Sequence, residues 1–186
     1  AGAFAVGFAP IALALGKFDR DAVDLVVAHI GDNTLRLFRG NGDGSFGLAD
    51  SLVVSADSTR PRGLAVLRFD GDAHLDVAVL SGEGSTGPGV LRVFGGSGDG
   101  RLLSPPLATL ATRTPALSGL SLASDDVDGD GHADLVGGVL TGGGLFVARG
   151  NGVGGWIGTW EVATGSVSSA VALARQYLHD RAVGRF

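Results

Sequence analysis

An all-β chain of repeated four-stranded antiparallel units is predicted by three features of the sequence. An acidic loop recurs three times at near-regular spacing, short apolar segments alternate with turn residues, and no segment has a convincing helical stripe with caps. The last aspartates of the loops, Asp24, Asp76 and Asp134, are separated by 52 and 58 residues, and Pro10, Pro61 and Pro115 precede the three repeats at separations of 51 and 54. A unit of this length holding four short strands matches one blade of a β-propeller.

In the first unit the strands are expected at Ile11–Gly16, Asp24–Ile30, Thr34–Phe38 and Leu48–Ala56, all rich in Val, Leu and Ala. Within the third of these, the Leu35-Arg-Leu37 alternation implies one apolar face, and it recurs as Val90-Leu-Arg-Val-Phe94. Between strands, Gly31-Asp-Asn33 and Asn41-Gly42 are residues that accept the positive φ of tight hairpin turns. The second unit is lengthened at Glu83–Gly89, an enlarged hairpin loop. Trp156 and Trp160, four apart in a fourth strand, are expected on one side of the sheet, where packing between blades is favoured over a sugar-stacking platform.

The repeats are placed at 10–60, 61–114 and 115–168, with a partial fourth at 169–186 and residues 1–9 as a strand from an adjoining blade. Three and a half blades leave sheet edges open, so either the rest of a longer chain or self-association is expected to close the ring. Residues 1–15 are apolar, but Pro10 interrupts them and a span needs about 20 residues, so they read as strand sequence.

Composition narrows the function. Gly is abundant, at 33 of 186 residues, yet Pro is only 6 and no collagen period appears, which favours many tight turns in a globular chain. The net charge of −5 lies largely in the acidic loops, and no Lys/Arg cluster marks a nucleic-acid surface. Without cysteine, thiol catalysis and zinc thiolate sites are excluded. Gly42-Asp-Gly44-Ser-Phe-Gly47 formally matches a dinucleotide fingerprint, but no helix follows to hold a pyrophosphate. His29 and His179 lack an obvious acid/base partner, and no G-x-S-x-G or H-E-x-x-H occurs, so no catalytic residue is assigned.

The chemistry-bearing motif is Asp126-Val-Asp128-Gly-Asp130-Gly-His132-Ala-Asp134. Four carboxylates in nine residues repel one another unless a cation lies between them, and Ca2+ suits them because it accepts about six to eight oxygen ligands in irregular geometry. Partial copies are Asp70, Asp72 and Asp76, with Arg68 at the first ligand position, and Asp19, Asp21 and Asp24, with Lys17 there and one residue fewer. Both copies are candidate metal sites as well, with the alternative that the fixed positive charge of Arg68 or Lys17 stands in for the ion. An EF-hand-like loop is disfavoured, because its twelfth position is Gly137 instead of Glu and a Gly-rich strand follows in place of a helix.

On these loops, together with Phe46-Gly47 and Phe94-Gly-Gly96, the chain resembles the FG-GAP (VCBS) repeat family, the propeller blades of integrin α chains and many bacterial surface proteins. The resemblance covers residues 10 to 163. It implies a D-x-D-G-D-G-x-x-D-L calcium loop between the first and second strands of each blade. In such a loop the residue at the place of His74 and His132 contributes a backbone carbonyl while its side chain faces solvent. It further implies a calcium-stabilised, non-enzymatic binding or scaffolding module of an extracellular or cell-surface protein, with a protein or glycan ligand. The alternative is a carbohydrate-active protein, a lectin or the propeller domain of a polysaccharide lyase.

Overall fold

The computed structural model describes residues 4–19, 21–57, 59–82, 88–115, 121–139 and 144–163, and among them every regular element is a β-strand. Sheet 1 comprises β1 (Pro10–Gly16), β2 (Asp24–His29), β3 (Thr34–Gly40) and β4 (Phe46–Val53). Sheet 2 comprises β5 (Arg60–Leu67), β6 (Asp76–Gly82), β7 (Pro88–Phe94) and β8 (Ala108–Pro115). Sheet 3 comprises β9 (Leu122–Asp125), β10 (Asp134–Val139), β11 (Gly144–Gly150) and β12 (Trp156–Ala163). Each sheet is an antiparallel meander in chain order, as the repeat pattern predicts. The proposed fourth repeat lies outside the described residues.

The sheets stack face to face, with the first strands β1, β5 and β9 side by side. Between sheets 1 and 2 the core includes Val26, Ala28, Leu35 and Leu37 from one side and Leu64, Val77, Val79 and Phe94 from the other. Between sheets 2 and 3 it includes Leu67, Phe69, Leu80, Leu91, Leu135 and Phe146. This layering explains the strand sequences. β2 and β6 are buried along their whole length, so they read as continuous apolar runs. The third strands show the predicted alternation: Leu35, Leu37, Leu91 and Val93 are buried apolar residues, while Arg36 and Arg92 point to the opposite face. Full burial of one such leucine contributes roughly 1.5–3 kcal/mol.

Residues 4–9, expected as a strand of an adjoining blade, form no strand. They cross sheet 1, with the Phe4 ring 5.7 Å from Phe38 and 5.5 Å from Phe46, and Ala9 O accepting the Ile30 N–H at 3.0 Å. The positive φ of Ala9, 50°, turns the backbone out of the extended form that pairing requires.

Of the two tryptophans, Trp156 packs between blades as expected, but the two do not share a face. A β-bulge between Arg149 and Gly150 shifts the β11–β12 register, so that Trp156 lies opposite Gly150 and Trp160 opposite Val147. One extra residue moves later side chains to the other face. Trp156 therefore packs on Phe69 of sheet 2, ring centroids 4.5 Å apart, whereas Trp160 is on the far face and partly exposed.

The passage from sheet 1 to sheet 2 is tied by an ion pair between Arg92 Nη2 and Asp57 Oδ2 at 2.6 Å, and by Arg92 Nη1 donating to Thr59 Oγ1. Burial pushes the Asp57 carboxyl up, but hydrogen bonds from Ser55 and Thr59 and the Arg92 charge outweigh it and hold it at about 2. A depressed carboxylate stabilises the fold above its ordinary value of 3.8, and that stability is lost as pH falls from there through about 2. The expected result is that Asp57→Asn lowers the melting temperature at pH 6 and that this deficit narrows steadily between pH 4 and pH 2.

Candidate metal centre

Loops 1 (17–24), 2 (68–76) and 3 (126–134) join the first and second strands of the three sheets. Each ends in a fully buried aspartate that opens the second strand. Its two oxygens serve two backbone donors. Asp24 Oδ2 accepts from Phe18 N–H at 2.8 Å and Oδ1 from Gly40 N–H at 3.0 Å. Asp76 does the same with Phe69 at 2.7 Å and Gly96 at 3.0 Å. Asp134 does so with Val127 and Gly150, both at 3.0 Å. One carboxylate thereby fastens the start of the loop, its end and the end of the third strand.

Gly40, Gly96 and Gly150 are required here by space. A Cβ at these positions would collide with the carbonyl oxygens of Val23, Leu75 and Ala133, the residues just before the buried aspartates. The sequence-level reading of the neighbouring Asn-Gly pairs as hairpin turns misses this role of the preceding glycine.

Burial pushes the Asp76 carboxyl up; the Phe69 and Gly96 N–H groups oppose this, while the Asp70 and Asp72 charges add to it. The Asp134 carboxyl is likewise pushed up by burial, opposed by Val127 and Gly150 and reinforced by Asp128 and Asp130. Both buried carboxylates thus face the negative charge of their neighbours, the electrostatic situation that a cation relieves.

The remaining loop aspartates are placed unequally. In loop 2, carboxylate oxygens of Asp70, Asp72 and Asp76 all lie within 4.8 Å of one another, and in loop 3 those of Asp126, Asp128 and Asp130 do. Asp134 stands apart from the loop 3 group. In loop 1, Asp19, Asp21 and Asp24 do not converge in this way. His132 is also outside the loop 3 group; its ring leans on Gly152 of the β11–β12 hairpin, as His74 leans on Gly98. The donor sets of loops 2 and 3, three hard carboxylates each, suit a hard divalent cation.

Lys17 and Arg68 do not stand in for the ion. Both are exposed and neither forms an ion pair among the described residues. At the same position Asp126 folds back over its loop and accepts N–H groups from Gly131, Gly129 and Asp130, and the Gly131 bond leads in holding its carboxyl below the usual range. A side chain that only donates cannot make that turn.

The cations come from the third strand. Arg39 Nε lies 2.6 Å from Asp19 Oδ2 in loop 1, and Arg149 Nη2 pairs with Asp128 and Asp130 of loop 3. The signal was present as Arg39-Gly-Asn-Gly42 and Arg149-Gly-Asn-Gly152, a tetrapeptide repeated in corresponding places. Sheet 2 has Gly95-Gly-Ser-Gly98 instead.

Consecutive four-stranded meanders stacked face to face, with their first strands adjacent and a fastened acidic loop in each, define blades of a propeller-type binding or scaffold domain. The described blades do not form a closed ring. The FG-GAP-like repeat matches residues 18–79 and again 68–137, so the chain belongs to the FG-GAP-like repeat family. No curated protein matches the chain.

The buried aspartate is separable from the exposed ones by mutation. In calcium-free buffer Asp76→Ala is expected to lower the unfolding free energy by roughly 2–4 kcal/mol, because two buried N–H groups lose their acceptor. The exposed Asp72→Ala is expected to cost less than about 1 kcal/mol under the same conditions. Urea denaturation of both variants checks the difference.

Proposed function

We propose that the chain is a calcium-stabilised, non-enzymatic binding or scaffolding unit of an extracellular or cell-surface protein, presenting its loops to a protein or glycan ligand. The observation that carries this reading is the convergence of three carboxylates in two loops held at equivalent places in consecutive blades. Asp70, Asp72 and Asp76 hold the ion in loop 2, and Asp126, Asp128 and Asp130 hold it in loop 3. When bound, calcium supplies positive charge that offsets the mutual repulsion of the loop carboxylates and the charge facing Asp76 and Asp134.

Each of these loops joins two strands and is anchored to a third, so the ion's role is structural. The FG-GAP-like family is typical of extracellular proteins, where calcium is plentiful enough to fill sites of modest affinity. No helix among the described residues is long and apolar enough to cross a membrane. His29 is fully buried, and the rings of the other described histidines, His74 and His132, lean on hairpin glycines, an arrangement in keeping with binding.

Calcium in excess is expected to raise the melting temperature relative to EDTA, with a stabilisation of about 2.7 kcal/mol per site at a hundred times the dissociation constant. An unchanged melting temperature would contradict the structural role of the ion. Glycan-array binding without turnover of uronate polymers is the expected outcome against the lyase alternative.

A further inference from the structure

We propose that the arginine preceding the third-strand glycine is an internal cation that competes with a divalent ion for the acidic loop, so that loop 2, which has Gly95 there, binds calcium more tightly than loop 3. This inference rests on the calcium reading above and deepens it, by naming the residue that sets each loop's affinity.

The three loops form an internal comparison. Loop 3 has the complete motif, but Arg149 Nη2 pairs with two members of its carboxylate group, Asp128 and Asp130. An ion entering loop 3 must therefore displace a guanidinium from the same carboxylates that would bind it. Loop 2 has the poorer motif, since Arg68 replaces the first aspartate, yet Asp70, Asp72 and Asp76 converge with no ion pair among the described residues. Its third strand ends at Phe94 and is followed by Gly95-Gly96, so no side chain reaches the loop from that position. Loop 1 lies at the other extreme: its carboxylates do not converge, and Arg39 holds Asp19.

The two arginines are anchored to different degrees. Arg39 pairs with Asp19 through Nε and also donates through Nη2 to the Asp99 carbonyl of the next blade at 2.9 Å, so two blades hold it in place. Arg149 reaches both carboxylates through one nitrogen, and its buried Nε has no hydrogen-bond partner among the described residues. A guanidinium binds a carboxylate best through a two-nitrogen fork, and Arg149 does not make one with either aspartate. It is a displaceable cation, whereas Arg39 is a fixed one. The resulting order of calcium affinity, loop 2 above loop 3 above loop 1, differs from the order of motif completeness.

Calcium titration by isothermal calorimetry tests this on the full chain. Asp72→Asn disables loop 2 and leaves the weaker loop 3 to be measured alone. In that background Arg149→Gln is expected to tighten the remaining site by at least about tenfold, because a unit positive charge a few ångströms from the ion is removed. Arg149→Lys, which keeps the charge, is expected to stay within about threefold of the parent. A second readout is the melting temperature: Arg149→Gln should lower it in EDTA, where the loop loses its only paired cation among the described residues, and calcium should restore it. If the wild-type chain binds calcium but Arg149→Gln leaves the loop 3 affinity unchanged or weaker, the competition is refuted while the calcium reading stands. If neither the wild type nor any variant binds calcium, the calcium reading fails and the competition with it.

Discussion

A buried carboxylate accepting two backbone N–H groups is the constraint on which the rest of the molecule depends. Asp24, Asp76 and Asp134 repeat it with near-identical distances in three blades. An ionised group is costly to bury unless its lone pairs are occupied, so each aspartate requires the loop start and the third-strand glycine to stay in place. Conversely, those donors find their acceptor in the aspartate. The arrangement locks three points of the backbone to one side chain, and the glycine is obligatory because the loop carbonyl passes where a Cβ would be.

From that anchor the acidic surface follows. With both ends of the loop held, the intervening residues turn tightly, and successive aspartates accept N–H groups two residues ahead, as Asp70 does from Asp72 and Asp130 from His132. Carboxylates are thereby crowded on one side of the loop. The chain meets the resulting repulsion in two ways: with an arginine from the adjoining strand in loops 1 and 3, and in loop 2 with nothing from that strand. The blade contacts reuse the same parts, since Phe69, which donates its N–H to Asp76, also packs its ring on Trp156 and accepts the Gly154 N–H through its carbonyl.

Much of this was legible in the sequence, and the misses have physical causes. The strands of the first repeat fall within a few residues of the expected positions, because alternation in β3 and continuous apolarity in β2 reflect burial on one face or two. The acidic loops announced themselves by composition. What spacing cannot show is which carboxylates converge: Asp76 and Asp134 hold the same place in the motif and accept the same two backbone N–H groups, yet Asp76 joins the loop 2 group and Asp134 stands outside that of loop 3. Side-chain parity in β12 was misjudged because a bulge leaves no mark in residue spacing. Lys17 and Arg68 were assigned a role by proximity in the chain, whereas the cations that reach the loops come from Arg39 and Arg149, some 20 residues downstream of the loop start and adjacent only once the sheet has formed.

Backbone amide hydrogen exchange, followed residue by residue in calcium-free buffer, tests the central role of the buried aspartate most directly. If the carboxylates hold the loops, the amides of Gly40, Gly96 and Gly150 exchange as slowly as those of the fully buried strands β2 and β6, and Asp76→Ala releases Gly96 and Phe69 while leaving Gly40 and Gly150 protected. Exchange of these glycine amides in the wild-type chain at the rate of exposed hairpin positions such as Gly44 would contradict it.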